Sequence, residues 1–174
     1  LHKSGYSIAA LTHAHRALSV LRRALDGRAD CYTLFSALGW RVDPIRGTPL
    51  DTGRHKLAGY DVLIVDEASM VDSRMYAAVQ RIREQRTLRV LWVGDPAQLP
   101  PVSDSGEMSP VFTNVTEQAR LTEVVRQAKG SSIIRASMYV RECLEHNTRP
   151  NIYRMQEYTG GDAVTIAQGG SAAV

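Results

Sequence analysis

The chain has 174 residues, 44% apolar and 22% charged, a globular composition that allows one domain with a real core and excludes collagen-like, fibrous and fully disordered chains. The formal net charge is only +3, yet residues 1–50 hold seven Lys/Arg against three Asp/Glu, so a polyanion would be met by the first third. Cys31 and Cys143 form no CxxC pair and have no histidine at ligand spacing, which signals neither a disulfide framework nor a zinc site and suits a reducing cytoplasm. No apolar run approaches the roughly 18 residues of a membrane span, and Ser7 to Leu11 is too short for a signal-peptide core. The composition therefore predicts a soluble chain with no membrane partner.

In chain order, Tyr6 to Leu11 is a short apolar run that ends at Thr12, and Ala17, Leu18, Leu21 and Leu25 then recur at helical spacing. A strand feeding a helix follows, with Thr12 as its cap and Arg16, Arg22 and Arg23 on its polar side. Cys31 to Leu38 suits a short strand and a helical fragment. From Gly39 to Gly59 the chain is rich in glycine and proline, and Trp40-Arg41-Val42 and Thr48-Pro49-Leu50 flank a turn-like Asp43-Pro44-Ile45-Arg46-Gly47. That pattern fits a small projecting hairpin or a plain loop.

Tyr60 to Val65 is almost uniformly apolar, as a strand buried on both faces must be, and it ends in Asp66-Glu67. Asp72 starts a helix with Met75, Tyr76, Val79 and Ile82 on one face, and a second buried strand, Leu88 to Val93, ends in Gly94-Asp95. Strand, helix, strand with acids at both carboxyl ends predicts a right-handed βαβ unit in a parallel sheet. Beyond the loop 96–110, Ala119 to Val125 reads as a strand and Ser131 to His146 as a helix with Ile133, Ala136, Val140, Cys143 and Leu144 inward. The tail from Asn147 shows little periodicity.

The chemistry gathers at the strand ends, where open α/β sheets bind ligands. In nucleoside triphosphatases the first acid of such a pair holds Mg²⁺ and the second orients or deprotonates the attacking water. A solvated strand end that caps the next helix would give the same two letters. The second strand narrows the choice: Gly94 permits a sharp exit, Asp95 stands at the same sheet edge, and Gln98 supplies an amide able to bond a γ-phosphate and a water together. Pro100 and Pro101 stiffen the loop that follows.

The series Thr12-His13-Ala14, Thr33-Leu34-Phe35-Ser36-Ala37-Leu38, Val62-Leu63-Ile64-Val65-Asp66-Glu67-Ala68-Ser69-Met70, Gly94-Asp95-Pro96-Ala97-Gln98-Leu99-Pro100-Pro101-Val102 and Leu121-Thr122-Glu123-Val124-Val125-Arg126-Gln127 resembles superfamily 1B DNA helicases, closest to the Dda and RecD-like types. Five motifs in order over residues 6–127 carry the resemblance. It implies a RecA-like P-loop NTPase domain, with a parallel sheet flanked by helices, that uses ATP and Mg²⁺ to move 5′ to 3′ along single-stranded DNA and open duplex junctions. It further implies a monomer in the cytoplasm of a bacterial or phage-infected cell.

Carried over by that resemblance, Asp66 is the magnesium residue and Glu67 the catalytic base. Gln98 is the γ-phosphate sensor and Arg126 the arginine that stabilises charge in the transition state, with Gln127 beside it and Asp95 at the nucleotide. Thr12, His13, Thr33 and Ser36 fall in the motifs that lie against the DNA backbone, and Arg16 adds charge next to them. Phe35 departs from the histidine usual at its place, which leaves base stacking as its role. Residues 40–56 occupy the position of the strand-separating pin, with Trp40, Pro44 and Ile45 as an apolar wedge.

One part of this machinery is missing from the sequence. The phosphate cradle G-x-x-x-x-G-K-[ST] does not occur, Lys3-Ser4 being its only possible remnant. The expectation is therefore a partial motor domain over residues 1–146 and a loosely ordered tail, 147–174, leading toward a second motor domain, with the cradle encoded upstream and the piece alone inactive as an ATPase. The alternatives are a module that binds nucleic acid without turnover, and another P-loop ATPase of the PhoH-like type, against which the Leu121 to Gln127 motif argues.

Overall fold

A computed structural model describes residues 2–102, 107–121 and 132–158 of the chain. It divides into two compact units, one ending at Glu117 and the other beginning at Gln118.

The first unit is built on a four-stranded sheet. Strands β1 (Ile8–Thr12), β2 (Asp30–Thr33), β5 (Val62–Val65) and β6 (Arg89–Trp92) lie in the order β2-β1-β5-β6, and every neighbouring pair is parallel. The parallel sheet predicted from the two apolar runs is present, with a pair of helices against its faces. All five residues of β1 are buried, which accounts for the unbroken apolar run. Its side chains alternate between two cores. Ala9 and Leu11 join Leu63 and Val65 under Met75, Val79 and Ile82 of α3 (Ser73–Glu84), while Ala10 meets Leu18 of α1 (His15–Leu25) and Cys31 on the other face.

Asp72 caps α3 as expected, its Oδ1 accepting the Met75 amide at 2.7 Å. Helix α1 differs: its N-cap is Ala14, which has no side-chain acceptor, and the Thr12 hydroxyl two residues earlier donates to Glu67 instead. Thr33 instead caps the short α2 (Leu34–Ala37), accepting the Ser36 amide at 3.2 Å.

The loose segment is a hairpin. β3 (Trp40–Val42) and β4 (Pro49–Asp51) pair antiparallel, and Asp43 Oδ1 accepts the amides of Ile45 and Arg46 at 2.8 and 3.1 Å to shape the turn. α4 (Val111–Asn114) closes the unit, with Val111 in the larger core.

On the outer side of β2, the Tyr60 hydroxyl donates to Asp30 Oδ2 at 2.6 Å and lies 3.1 Å from the Tyr32 hydroxyl. Burial, followed by these two bonds, pushes the Tyr60 hydroxyl well above the ordinary tyrosine range. A raised folded-state pKa stabilises below the unfolded value, near pH 10, and that contribution is lost as pH rises further. Urea midpoints measured at neutral and alkaline pH should therefore show a fall above about pH 10 that Tyr60→Phe makes shallower.

The second unit holds α5 (Ser132–Glu145) and α6 (Ile152–Gln156). Asn147 in the left-handed region ends α5, where the Thr148 amide returns to the Cys143 carbonyl at 2.8 Å. Ala136, Tyr139 and Cys143 are buried, whereas Ile133 and Leu144, expected inward, are exposed. The Tyr139 ring packs under the Arg154 guanidinium at 4.7 Å and its hydroxyl accepts the Asn151 amide, which draws that face of α5 inward. Ala119 to Leu121 form no strand, and the rest of that expected strand, Thr122 to Val125, lies outside the described residues.

Candidate functional site

The carboxyl ends of β5 and β6 are laced together. The Val93 amide donates to the Val65 carbonyl at 2.8 Å, and the Ala68 amide donates back to the Val93 carbonyl at 2.9 Å. Between these two bonds the chain turns sharply at Asp66-Glu67 and enters a 3-10 turn, Ala68–Met70. Glu67 takes up the turn in the left-handed region, φ 57° and ψ 40°, a costly conformation for a residue with a Cβ. Asp66 steadies it, Oδ1 accepting the Glu67 amide at 2.9 Å, while the Asp66 amide itself bonds the Leu11 carbonyl.

Gly94 makes the close approach possible. A Cβ at that position would stand 3.0 Å from the Ala68 amide nitrogen and 3.1 Å from the Ala68 Cβ, so the loop leaving β6 passes directly over the turn that carries Glu67. Asp95 then folds the loop on itself, with its Oδ1 accepting the Ala97 amide at 3.0 Å and its carbonyl accepting the Gln98 amide at 3.0 Å. The Gln98 side chain is left exposed.

Asp66 and Glu67 are both half-buried. Mg²⁺ is held by one or two carboxylates together with substrate phosphates. Asp66 fits that requirement, because only one of its oxygens is engaged, by the Glu67 amide, among the described residues. No cluster of three or more ligating side chains occurs among the described residues.

The expected nucleic-acid residues are placed less uniformly. Thr12 is 1% exposed and its hydroxyl donates to Glu67 Oε2 at 3.1 Å, so this hydroxyl is turned to the acid and away from any backbone phosphate. His13, immediately after it, is half-buried and its Nδ1 is shielded from water with no partner among the described residues. Arg16 is exposed on the first turn of α1, whereas Arg22 is drawn down to the Cys31 carbonyl at 3.1 Å. Thr33 is buried as a helix cap, and Ser36 Oγ accepts the exposed Lys56 ammonium at 2.9 Å.

Trp40 corrects an expectation. The sequence suggests a wedge, but Trp40 is 7% exposed, with Phe35 edge-on at 5.9 Å and the Arg74 guanidinium 5.7 Å from its ring centroid. Phe35 is thereby engaged with Trp40 and stacks within the fold. The tip of the hairpin belongs to Ile45, which is 92% exposed. Arg126 and Gln127 lie outside the described residues.

Three contributors had no sequence signal of their own: Lys56 at Ser36, Arg74 over Trp40, and the Thr12 to Glu67 bond. The last joins residues 55 positions apart, and only the β1-β5 register, which sets Leu11 opposite Val65, brings them together.

Comparison with known proteins gives the same direction. The family model described as an AAA domain matches residues 1–160. The ATP-dependent RecD2 DNA helicase of Deinococcus radiodurans is 42% identical over 81 residues, covering 46% of this chain and 11% of that protein. The crystal structure of Bacteroides Pif1 bound to ssDNA superposes with a TM-score of 0.55 at 22% identity, covering 80% of this chain and 37% of that one, which supports the fold. The chain thus spans a minor part of both relatives.

Proposed function

The chain belongs to the AAA domain family, and we propose that it is the motor core of an ATP-dependent DNA helicase of the RecD- and Dda-like superfamily 1B type. The observation that carries the reading is the junction of β5 and β6. There Asp66, Glu67 and the Gln98 loop leave adjacent strands through one interlocked turn.

When bound, Mg²⁺ neutralises charge on the triphosphate. Asp66 would hold it, and the proton-accepting, sensing and charge-stabilising roles fall to this chain's own groups. Glu67 accepts the proton of the attacking water through the carboxylate oxygen that has no partner among the described residues. The exposed Gln98 amide can donate to a γ-phosphate oxygen and accept from the same water, so it reports whether the phosphate is present. Arg126 would stabilise charge as the phosphoryl group departs, with Gln127 alongside. The amides and lysine of a phosphate cradle are not encoded in these 174 residues and would be supplied by another part of the parent protein. The exposed Leu91 and Val93 on and beside β6 suit an element packed there.

Single-stranded DNA, the ligand in the Pif1 structure, is proposed for this chain as well. Its contact would run past His13 and Arg16 toward Ser36 and Lys56, a path of positive charge and hydroxyls that bonds phosphates without reading sequence. The hairpin, with Ile45 at its tip in place of Trp40, is proposed as the element that meets the duplex junction, and 5′ to 3′ movement is proposed on the resemblance to superfamily 1B.

Binding of a fluorescent oligonucleotide to this chain at two salt concentrations tests the contact. Affinity should fall as salt rises, and Arg16→Glu with Lys56→Glu should weaken it further by about tenfold, since each phosphate contact releases counterions. Affinity indifferent to salt and to both substitutions would refute the path. Binding with normal salt dependence by a full-length protein that never hydrolyses ATP would favour the non-catalytic module.

A further inference from the structure

We propose that Thr12 is the positioning residue of the catalytic carboxylate, a role that rests on the assignment of Glu67 as the base. The geometry is specific. Thr12 is the last residue of β1, buried to 1% exposure, and its hydroxyl reaches across the sheet end to Glu67 Oε2 at 3.1 Å. The Asp66 amide, one residue earlier, is fixed to the Leu11 carbonyl at 2.8 Å, so β1 holds the acid pair by its backbone and by a side chain at once.

Glu67 needs such an anchor. Its backbone sits in the left-handed region, which is sustained only when the surroundings over-determine it. A flexible glutamate on a strained turn can choose among several rotamers, and a base must lie within hydrogen-bond reach of the proton it takes. The Thr12 hydroxyl removes that choice. It occupies one carboxylate oxygen and keeps the group ionised, and the other oxygen has no partner among the described residues.

Thr12 would therefore touch neither nucleotide nor DNA and act through Glu67. It also gives a physical reason for a hydroxyl at the end of a strand whose other four residues are apolar. A buried hydroxyl without a partner is costly, and here the partner is the acid.

The test uses the full-length protein and steady-state ATP hydrolysis. Thr12→Val removes the hydroxyl at nearly constant volume and should lower kcat about tenfold with KM for ATP within about twofold of the parent. Thr12→Ser, which keeps the hydroxyl, should restore kcat to within about twofold. Thr12→Val added to Glu67→Gln should cost nothing more, because the two changes remove one arrangement.

Thermal unfolding accompanies each variant, and if Thr12→Val does not fold, Thr12→Ser and Thr12→Ala decide by the same contrast. Unchanged or faster turnover in Thr12→Val, a serine variant as slow as the valine one, or an additive double variant would each overturn the proposal. Failure of the underlying reading looks different: Glu67→Gln would then hydrolyse ATP normally, and Thr12 would lose its role with it.

Discussion

Glu67→Gln in the full-length protein should reduce ATP hydrolysis by about a hundredfold to ten-thousandfold, the range that a general base contributes, while nucleotide and single-stranded DNA still bind. The amide has the size and shape of the carboxylate and can still accept the Thr12 hydroxyl, so the turn around residues 66–70 keeps its geometry. It has neither the charge nor the basicity to take a proton from water. Asp66, bonded through Oδ1 to the backbone amide of residue 67, is untouched by the change. Phosphate release at saturating ATP, set beside equilibrium DNA binding, measures the two halves separately. Turnover at the parent rate would remove Glu67 from the role of base, and loss of DNA binding in step with turnover would point to a collapsed site.

The parts of this site that the sequence makes readable are those encoded by short-range patterns. Val62 to Val65 are apolar in succession because a strand between two parallel neighbours is buried on both faces, and the acids that follow must then stand at the sheet edge. Asp72 three residues before Met75 is a local cap, and the Asp43 turn is a local Asx motif, so both are visible in a few letters.

Long-range pairings are not visible in this way. A threonine at the end of a strand looks like the cap of the next helix, and nothing within ten residues of it shows that its hydroxyl is owed to an acid 55 positions later. Trp40 misleads for a related reason. In a stretch rich in glycine and proline an aromatic side chain reads as exposed, but the hairpin folds back and brings Arg74 of α3 and Phe35 of α2 against it. The inward face of α5 is ambiguous in the sequence because Ile133 and Leu144 fit a helical stripe as well as Tyr139 does. What selects Tyr139 is its bond to the Asn151 amide and the Arg154 guanidinium over its ring, both contributed by a later segment.

The root of the hairpin supplies the second large effect. Gly39 has φ +73°, and a Cβ built there would lie 2.1 Å from the Arg54 carbonyl oxygen and 2.6 Å from its carbon. Both are backbone atoms, so no rotamer change can relieve the collision. The segment returning from β4 is also pinned at this level, the Thr52 hydroxyl donating to the Gly39 carbonyl at 2.6 Å and the Lys56 amide to the Ala37 carbonyl at 2.8 Å.

Gly39→Ala therefore forces a choice between a displaced return segment around Arg54 and a broken helix-to-hairpin junction, in addition to the cost of a side chain in the left-handed region. The expected destabilisation is about 2–4 kcal/mol, within the reach of backbone strain and overpacking. For a chain of this size each kcal/mol corresponds to about 2–4 °C in Tm, which circular dichroism melting resolves. A loss under about 1 kcal/mol, the cost of the left-handed conformation alone, would show that the return segment yields freely. A large loss with Trp40 fluorescence shifted toward that of an exposed indole would tie the stability of the domain to the mount of its hairpin, since Trp40 follows Gly39 directly and belongs to the same core as Leu63 and Val65.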